Sequence, residues 1–196
     1  MRMKRNEIKE IIKQEKSMYF NDDNNTFKKY KRSHHKRYYI WKYLYYFRWC
    51  QYYFIERTSN GYGHFRRKYI KCLFRYYEYK KNIFSYRSGV EIGIQSKIGK
   101  NCDIWHSGVI INGTIGDNCI FHGNNTIGNK GKGRETQYPT LGSNIDVGVG
   151  AVVIGKVRIA DNVIIGACSL VAKDILEPNC TIIGVPARML LTKNES

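Results

Sequence analysis

The chain has 196 residues, with 33 Lys and Arg against 16 Asp and Glu and a formal net charge of +17. That length suits one domain carrying a sizeable appendage. The six cysteines form no CxxC pair and no zinc-like spacing, which argues against a disulfide framework or a zinc ribbon and reads as reduced thiols. Charge is uneven along the chain. Residues 1–85 hold 22 Lys and Arg against 7 Asp and Glu, together with 14 of the 16 Tyr. Glycine and small aliphatics dominate afterwards, so composition marks a boundary near residues 85–88. Residues 1–86 are therefore expected to form a basic, aromatic α-helical region, 87–188 a second domain and 189–196 a tail.

In chain order, "MRMKRNEIKEIIKQEK" mixes charges and lacks an apolar stretch, so no secretory signal is expected. Residues 3–17 read as helix, and "NDDNNT" (21–26) supplies turn formers that break it. A second helix is expected over 27–57, with Ile40, Leu44, Phe47 and Tyr52 at helical spacing and Tyr45 one turn from Trp49. "TSNGYG" (58–63) ends it, and a third helix is expected over 64–82. The stretch "YYIWKYLYYFRWCQYYFI" (38–55) contains Lys42, Arg48 and Gln51. Each cation at a bilayer centre would cost ~2.5–3.5 kcal/mol, which argues against a membrane span.

Three roles fit the basic charge. A solvated helical surface is the plainest. Peripheral contact with an anionic membrane surface suits Lys and Arg interleaved with Tyr, Trp and Phe. Nucleic-acid binding has stacking aromatics in its favour but no recognised motif, and it is not expected. His34, His35 and His64 lie in basic runs and read as surface residues.

The second half has a six-residue period. Leu141, Val147, Val153, Ile159, Ile165 and Val171 follow without a slip, and Ile183 falls two periods further on. Earlier, Ile92, Ile98 and Ile104 keep the spacing, as do Ile115, Phe121 and Ile127. Gly often comes next, and Ala151, Val157, Val163 and Ser169 recur two residues before the aliphatic. This period fits neither an α-helix nor a meander. It fits a short strand plus a turn, repeated so that three hexads close one triangular coil, with coils stacked about 4.8 Å apart. "GDN" (116–118), "SN" (143–144) and "DN" (161–162) supply the tight turns. Two irregularities interrupt the count. The step from Ile104 to Ile115 is 11, and that from Ile127 to Leu141 is 14. The second gap, "GNKGKGRETQYPT" (128–140), is expected to protrude as a loop bordering a cleft. It lacks the order of a phosphate-binding P-loop.

Residues 91–188 resemble the acetyltransferase domain of serine acetyltransferases, especially members encoded with capsule and exopolysaccharide genes. "EIGIQSKIGKNCDIWHSG", the uninterrupted "IGNKGKGRETQYPTLG" and the closing "VAKDILEPNCTIIGVPARML" carry the likeness, and "YYIWKYLYYFRWCQYY" adds to it less specifically. The resemblance implies a mainly β fold, a left-handed parallel β-helix with an N-terminal α-helical region. It implies an acetyl-CoA-dependent O-acetyltransferase with no metal requirement, assembled as a homotrimer or a dimer of trimers. The enzyme is expected in the cytoplasm, with the basic N-terminal region a candidate for peripheral contact at the inner face of the membrane.

The family pattern makes His106 the general base and Glu91 its orienting acid, fifteen residues earlier. Val149 and Ala167 match positions beside the pantetheine arm, and Lys173 and Arg188 face the nucleotide phosphates. Serine-specific members carry Asp before the histidine and Arg-His before the loop-closing Pro. Here those positions are Trp105 and Gln137-Tyr138. Both aromatic residues suit a sugar ring, so the acceptor hydroxyl belongs to L-serine or to a surface-polysaccharide sugar. His122, in "FHGNN", is a further substrate-side candidate. A γ-carbonic-anhydrase-like metalloenzyme shares the scaffold but needs three histidine ligands, and the repeat region has only His106 and His122. A non-enzymatic β-helix scaffold is the remaining alternative.

Overall fold

The computed structural model describes residues 4–20, 24–32, 35–58, 63–133 and 136–190. His34, residues 21–23 of the first expected turn, 59–62 of the second and 191–196 of the tail lie outside the described residues, and 24–26, expected as turn, begin a helix. The chain divides into two compact units, Met1–Val90 and Glu91–Ser196.

The first unit contains helices α1 (Arg5–Phe20), α2 (Asn24–Arg32), α3 (Lys36–Thr58) and α4 (His64–Ser88). The single helix expected over 27–57 is therefore two, α2 and α3. Nothing in the apolar spacing marks that break, because the basic run between them still reads as helix. The last helix runs six residues past its expected end. Gly89 stops it, adopting φ 68° and donating its N–H to the Ser85 carbonyl, as a left-handed C-cap requires.

α3 is the centre of this unit, packed by α1, α2 and α4. Ile40, Tyr43, Leu44, Phe47 and Cys50 are almost fully buried. α1 contributes Ile8, Ile11, Tyr19 and Phe20 at helical spacing. Aromatic rings fill the α3–α4 interface: Tyr77 stacks on Trp49 and Tyr53 at 5.9 and 5.3 Å between centroids. Arg48 is 1% exposed and pairs with the equally buried Glu15 at 2.6 Å. The Lys42 ammonium sits 5.0–5.8 Å from the rings of Trp41, Tyr45 and Tyr46. Burial, with help from Lys31 and Lys16, lowers its pKa. Among the described residues, no helix is long and apolar enough to cross a membrane.

The second unit is a parallel β-helix of about five coils. Its strands are β1 (Val90–Ile92), β2 (Lys97–Ile98), β3 (Asp103–Ile104), β4 (Val109–Ile111), β5 (Thr114–Ile115), β6 (Ile120–Phe121), β7 (Thr126–Gly128), β8 (Thr140–Leu141), β9 (Asp146–Val147), β10 (Val152–Ile154), β11 (Arg158–Ile159), β12 (Ile164–Ile165), β13 (Leu170–Val171), β14 (Thr181–Gly184) and β15 (Ala187–Met189). They form three sheets: β1-β4-β7-β10-β13, β11-β8-β5-β2 and β15-β14-β12-β9-β6-β3. From β1 to β13 every third strand joins the same sheet, so three strands complete a coil. β14 and β15 pair antiparallel, closing the end.

The inward residues form columns. Ile104, Phe121, Val147 and Ile165 stack in register and are 0% exposed. Each buried aliphatic stabilises the stack by roughly 1.5–3 kcal/mol. The column ends on Ile182, which pairs with Ile165 and is buried. Ile183, which the hexad count makes inward, is 43% exposed. The last coil is one residue short on this side, so strict counting by six overshoots. The extra residues between Ile127 and Leu141 leave the coil after β7 and return at β8.

The turns explain the asparagines. Asn101, Asn118, Asn144 and Asn162 all hold φ between 55° and 59°. That left-handed conformation is costly for most side chains and tolerated by Asn. Their amides form a ladder up one edge: Asn101 donates to Asn118 at 2.9 Å, Asn118 to Asn144 at 3.2 Å, and Asn144 to Asn162 at 2.9 Å.

Candidate active site

The site lies on another edge, where the β3–β6–β9–β12 face turns toward the sheet containing β4. Two residues after each inward residue of that face stand His106, Gly123, Val149 and Ala167. Backbone bonds hold Gly123, Val149 and Ala167 in register, while the coil carrying His106 has one extra residue at this corner, so Ser107 takes the backbone bond and His106 sits beside Gly123. Asn124 donates to the Ser107 carbonyl at 3.0 Å, Gly150 to Gly123 at 2.9 Å, and Cys168 to Val149 at 2.9 Å. One column thus carries the expected base and both expected pantetheine-facing residues. Val149 is 46% exposed, and His106 and Ala167 are also exposed.

Gly123 makes room for the imidazole. A Cβ there would fall 2.7 Å from the His106 Cβ, and its φ is +125°. Beneath it, Asn125 is fully buried, accepting from the Gly123 N–H at 2.9 Å and donating to the Gly148 carbonyl at 2.7 Å. The corner below His106 is therefore fixed by side-chain bonds as well as by the backbone ladder.

One residue nearer the strand, the same coils place Trp105, His122, Gly148 and Gly166. Two positions that the repeat fills with glycine carry Trp105 and His122 on adjacent coils. Their rings lie 4.4 Å apart at 48°. His122 Nε2 is 2.7 Å from Asp146 Oδ1, and the Trp105 indole donates to Asp103 Oδ2 at 2.9 Å. The result is an exposed aromatic–imidazole surface flanked by two carboxylates. Sequence reasoning singled out Trp105 and His122 but missed Asp103, Asp146 and Gly123. The position of Gly123 was legible, because it follows Phe121 as His106 follows Ile104.

The other expected residues are distributed differently. Glu91 is exposed on β1 and makes no hydrogen bond with His106 in this structure. Its strand is bonded to β4, which starts three residues after His106. Tyr138 lies on a different edge, lining a cavity of about 410 Å³ with Gln95, Ser96 and Asn112. It does not join Trp105 and His122 within the chain. Lys173 and Arg188 line a cavity of about 220 Å³ together with Lys130, a third cation that the sequence did not single out. The Lys130 stem lies across Gly155, whose missing side chain leaves it room.

Stacked hexads with an imidazole on one edge define the hexapeptide-repeat class of parallel β-helix proteins. No family model matches the chain. A serine acetyltransferase of Synechococcus elongatus is 40% identical over 106 residues, 53% of this chain and 43% of that protein. One of Staphylococcus aureus is 38% identical over 106 residues, 53% of this chain and 49% of that protein. The crystal structure of the Brucella abortus serine acetyltransferase in complex with coenzyme A superposes with a TM-score of 0.71 at 18% identity, over 95% of this chain and 68% of that one. The chain spans about half the length of the curated relatives it matches. Over those 106 residues the chain is similar to serine acetyltransferases, and it shares their parallel β-helix fold with an N-terminal helical region.

Proposed function

We propose that the protein is an acetyl-CoA-dependent O-acetyltransferase with His106 as general base. The column His106–Gly123–Val149–Ala167 carries this reading. It aligns a basic side chain with a shallow strip suited to the pantetheine arm. Ala167 stands three coils from His106, about 14 Å at the parallel-strand spacing. The basic cavity of Lys130, Lys173 and Arg188 suits the phosphates of the same molecule.

In the proposed step, the acceptor hydroxyl oxygen attacks the thioester carbonyl carbon while an imidazole nitrogen of His106 takes the proton. The tetrahedral intermediate collapses with cleavage of the C–S bond. The imidazolium returns its proton to the departing thiolate, giving an acetyl ester and free coenzyme A. Backbone N–H groups of the coil edge are suited to hold the oxyanion. Glu91 supports the imidazolium electrostatically from the neighbouring strand. No covalent enzyme intermediate and no metal enters this step.

The acceptor is an exposed hydroxyl of a saccharide or of L-serine. The Trp105–His122 surface favours a sugar, because an aromatic face packs on ring C–H groups and the part-exposed Asp146 carboxylate suits hydroxyl donors. L-serine is favoured by the names of the relatives. Assembly as a trimer or paired trimers, and a cytoplasmic site where acetyl-CoA is made, belong to the same proposal. Release of free thiol from acetyl-CoA should be measured with L-serine and with a panel of sugars and nucleotide sugars. Acceleration by a sugar that is lost in Trp105→Ala supports the saccharide acceptor. Acceleration by L-serine alone overturns it, and acceleration by no acceptor overturns the transferase.

A further inference from the structure

We infer that the outer face of α4 docks on an anionic lipid surface. One face of this helix packs on α3 through Ile70, Phe74 and Tyr77. On the other side, Phe65, Tyr69, Tyr76, Tyr79 and Tyr86 are 88, 65, 49, 63 and 92% exposed. With the exposed Cys72 and half-buried Ile83, they are spaced by alternating four and three residues. At 3.6 residues per turn this confines them to an arc of about 100°, opposite the packed face. Five large aromatic side chains are thus held in one line over most of a 25-residue helix, without contributing to the core.

Such spacing also describes a coiled-coil seam. The flanking charges decide between a second copy and a lipid surface. Arg66, Lys68, Arg75, Lys80 and Arg87 border the stripe on its two sides, and Glu78 is the only acid in the helix. Two copies meeting along the stripe would set like charges against each other. Anionic headgroups would instead meet complementary charge on both borders. Tyr and Phe, with an apolar body and in Tyr a polar tip, suit the headgroup region between the cations. The helix would lie on the surface with its aromatic stripe dipped among the headgroups and its opposite face still packed on α3.

The test uses the full chain sedimented with vesicles of phosphatidylcholine alone or mixed with phosphatidylglycerol, at low and high salt. The protein should pellet with the mixed vesicles only, and less as salt rises. A Tyr69→Ser, Tyr79→Ser, Tyr86→Ser variant should partition about tenfold less while keeping its helix content and melting temperature. Lys68→Glu with Arg75→Glu should release the protein as well. Equal binding to neutral vesicles, or no binding to either, overturns the proposal. So does a triple variant that partitions normally, or one that changes only the particle mass in light scattering, which would make the stripe a seam between copies. Tyrosine-dependent binding to a single-stranded oligonucleotide without vesicle binding also overturns it.

Discussion

The two units of this chain are held together by different physics. The helical unit surrounds one central helix with aromatic rings and keeps the Glu15–Arg48 ion pair out of water. Apolar residues recur at helical spacing within each of its helices, but which helix meets which follows no repeat. The β-helix repeats one device: an inward aliphatic, a left-handed Asn turn and a backbone bond to the next coil. Each coil there rests mainly on its neighbours, so damage should remain local. Damage in the helical unit should spread through its one core.

The largest expected difference comes from Glu15→Ala. It leaves the Arg48 guanidinium buried without its carboxylate and should cost about 3–5 kcal/mol. Calorimetry should show the helical transition moving to lower temperature while the β-helix transition stays in place. A joint shift of both would show that the units fold as one. Phe121→Ala probes the other side of the comparison. It opens a cavity in the middle of an inward column and should cost about 3–5 kcal/mol, confined to the β-helix transition.

A smaller effect is expected in the Asn ladder. Asn144→Val puts a β-branched residue at φ 57° and removes two amide bonds. It should cost about 1–2 kcal/mol from the backbone conformation, whereas Asn144→Gly should cost less. Denaturant unfolding of the two variants checks the order. The smallest effect is alkaline. Burial pushes the thiols of Cys50, in the helical unit, and Cys119, in the β-helix, up from 9.0 to about 11. Each folded value lies above the unfolded one, so the folded state keeps a proton that the unfolded chain releases. Their contribution is complete below pH 9 and is lost between pH 9 and about 11. Cys119→Ala should flatten this slope for the β-helix alone, read from melting temperature against pH.

The contrast also explains what the sequence reveals. A period of six is visible wherever coils repeat, so the β-helix, its turns and the protruding loop are legible residue by residue. Counting fails at Ile183, where a shortened coil puts Ile182 inside. The break between α2 and α3 has no such signature, and the Glu15–Arg48 pair joins residues 33 apart without a pattern to announce it. The site is intermediate. His106, Val149 and Ala167 come from the resemblance, and the shared column appears once coils are stacked. Asp146 could not be placed against His122 before the register was known, because the inserted loop lies between them in sequence.

The central claim is that the His106 edge performs acyl transfer. The most direct measurement is acceptor-dependent thiol release from acetyl-CoA by the wild-type chain and by His106→Ala, with coenzyme A binding and melting temperature followed in parallel. A general base contributes about 10²–10⁴-fold, so the variant's rate should fall by that factor while binding and stability persist. An undiminished rate in His106→Ala would contradict the account.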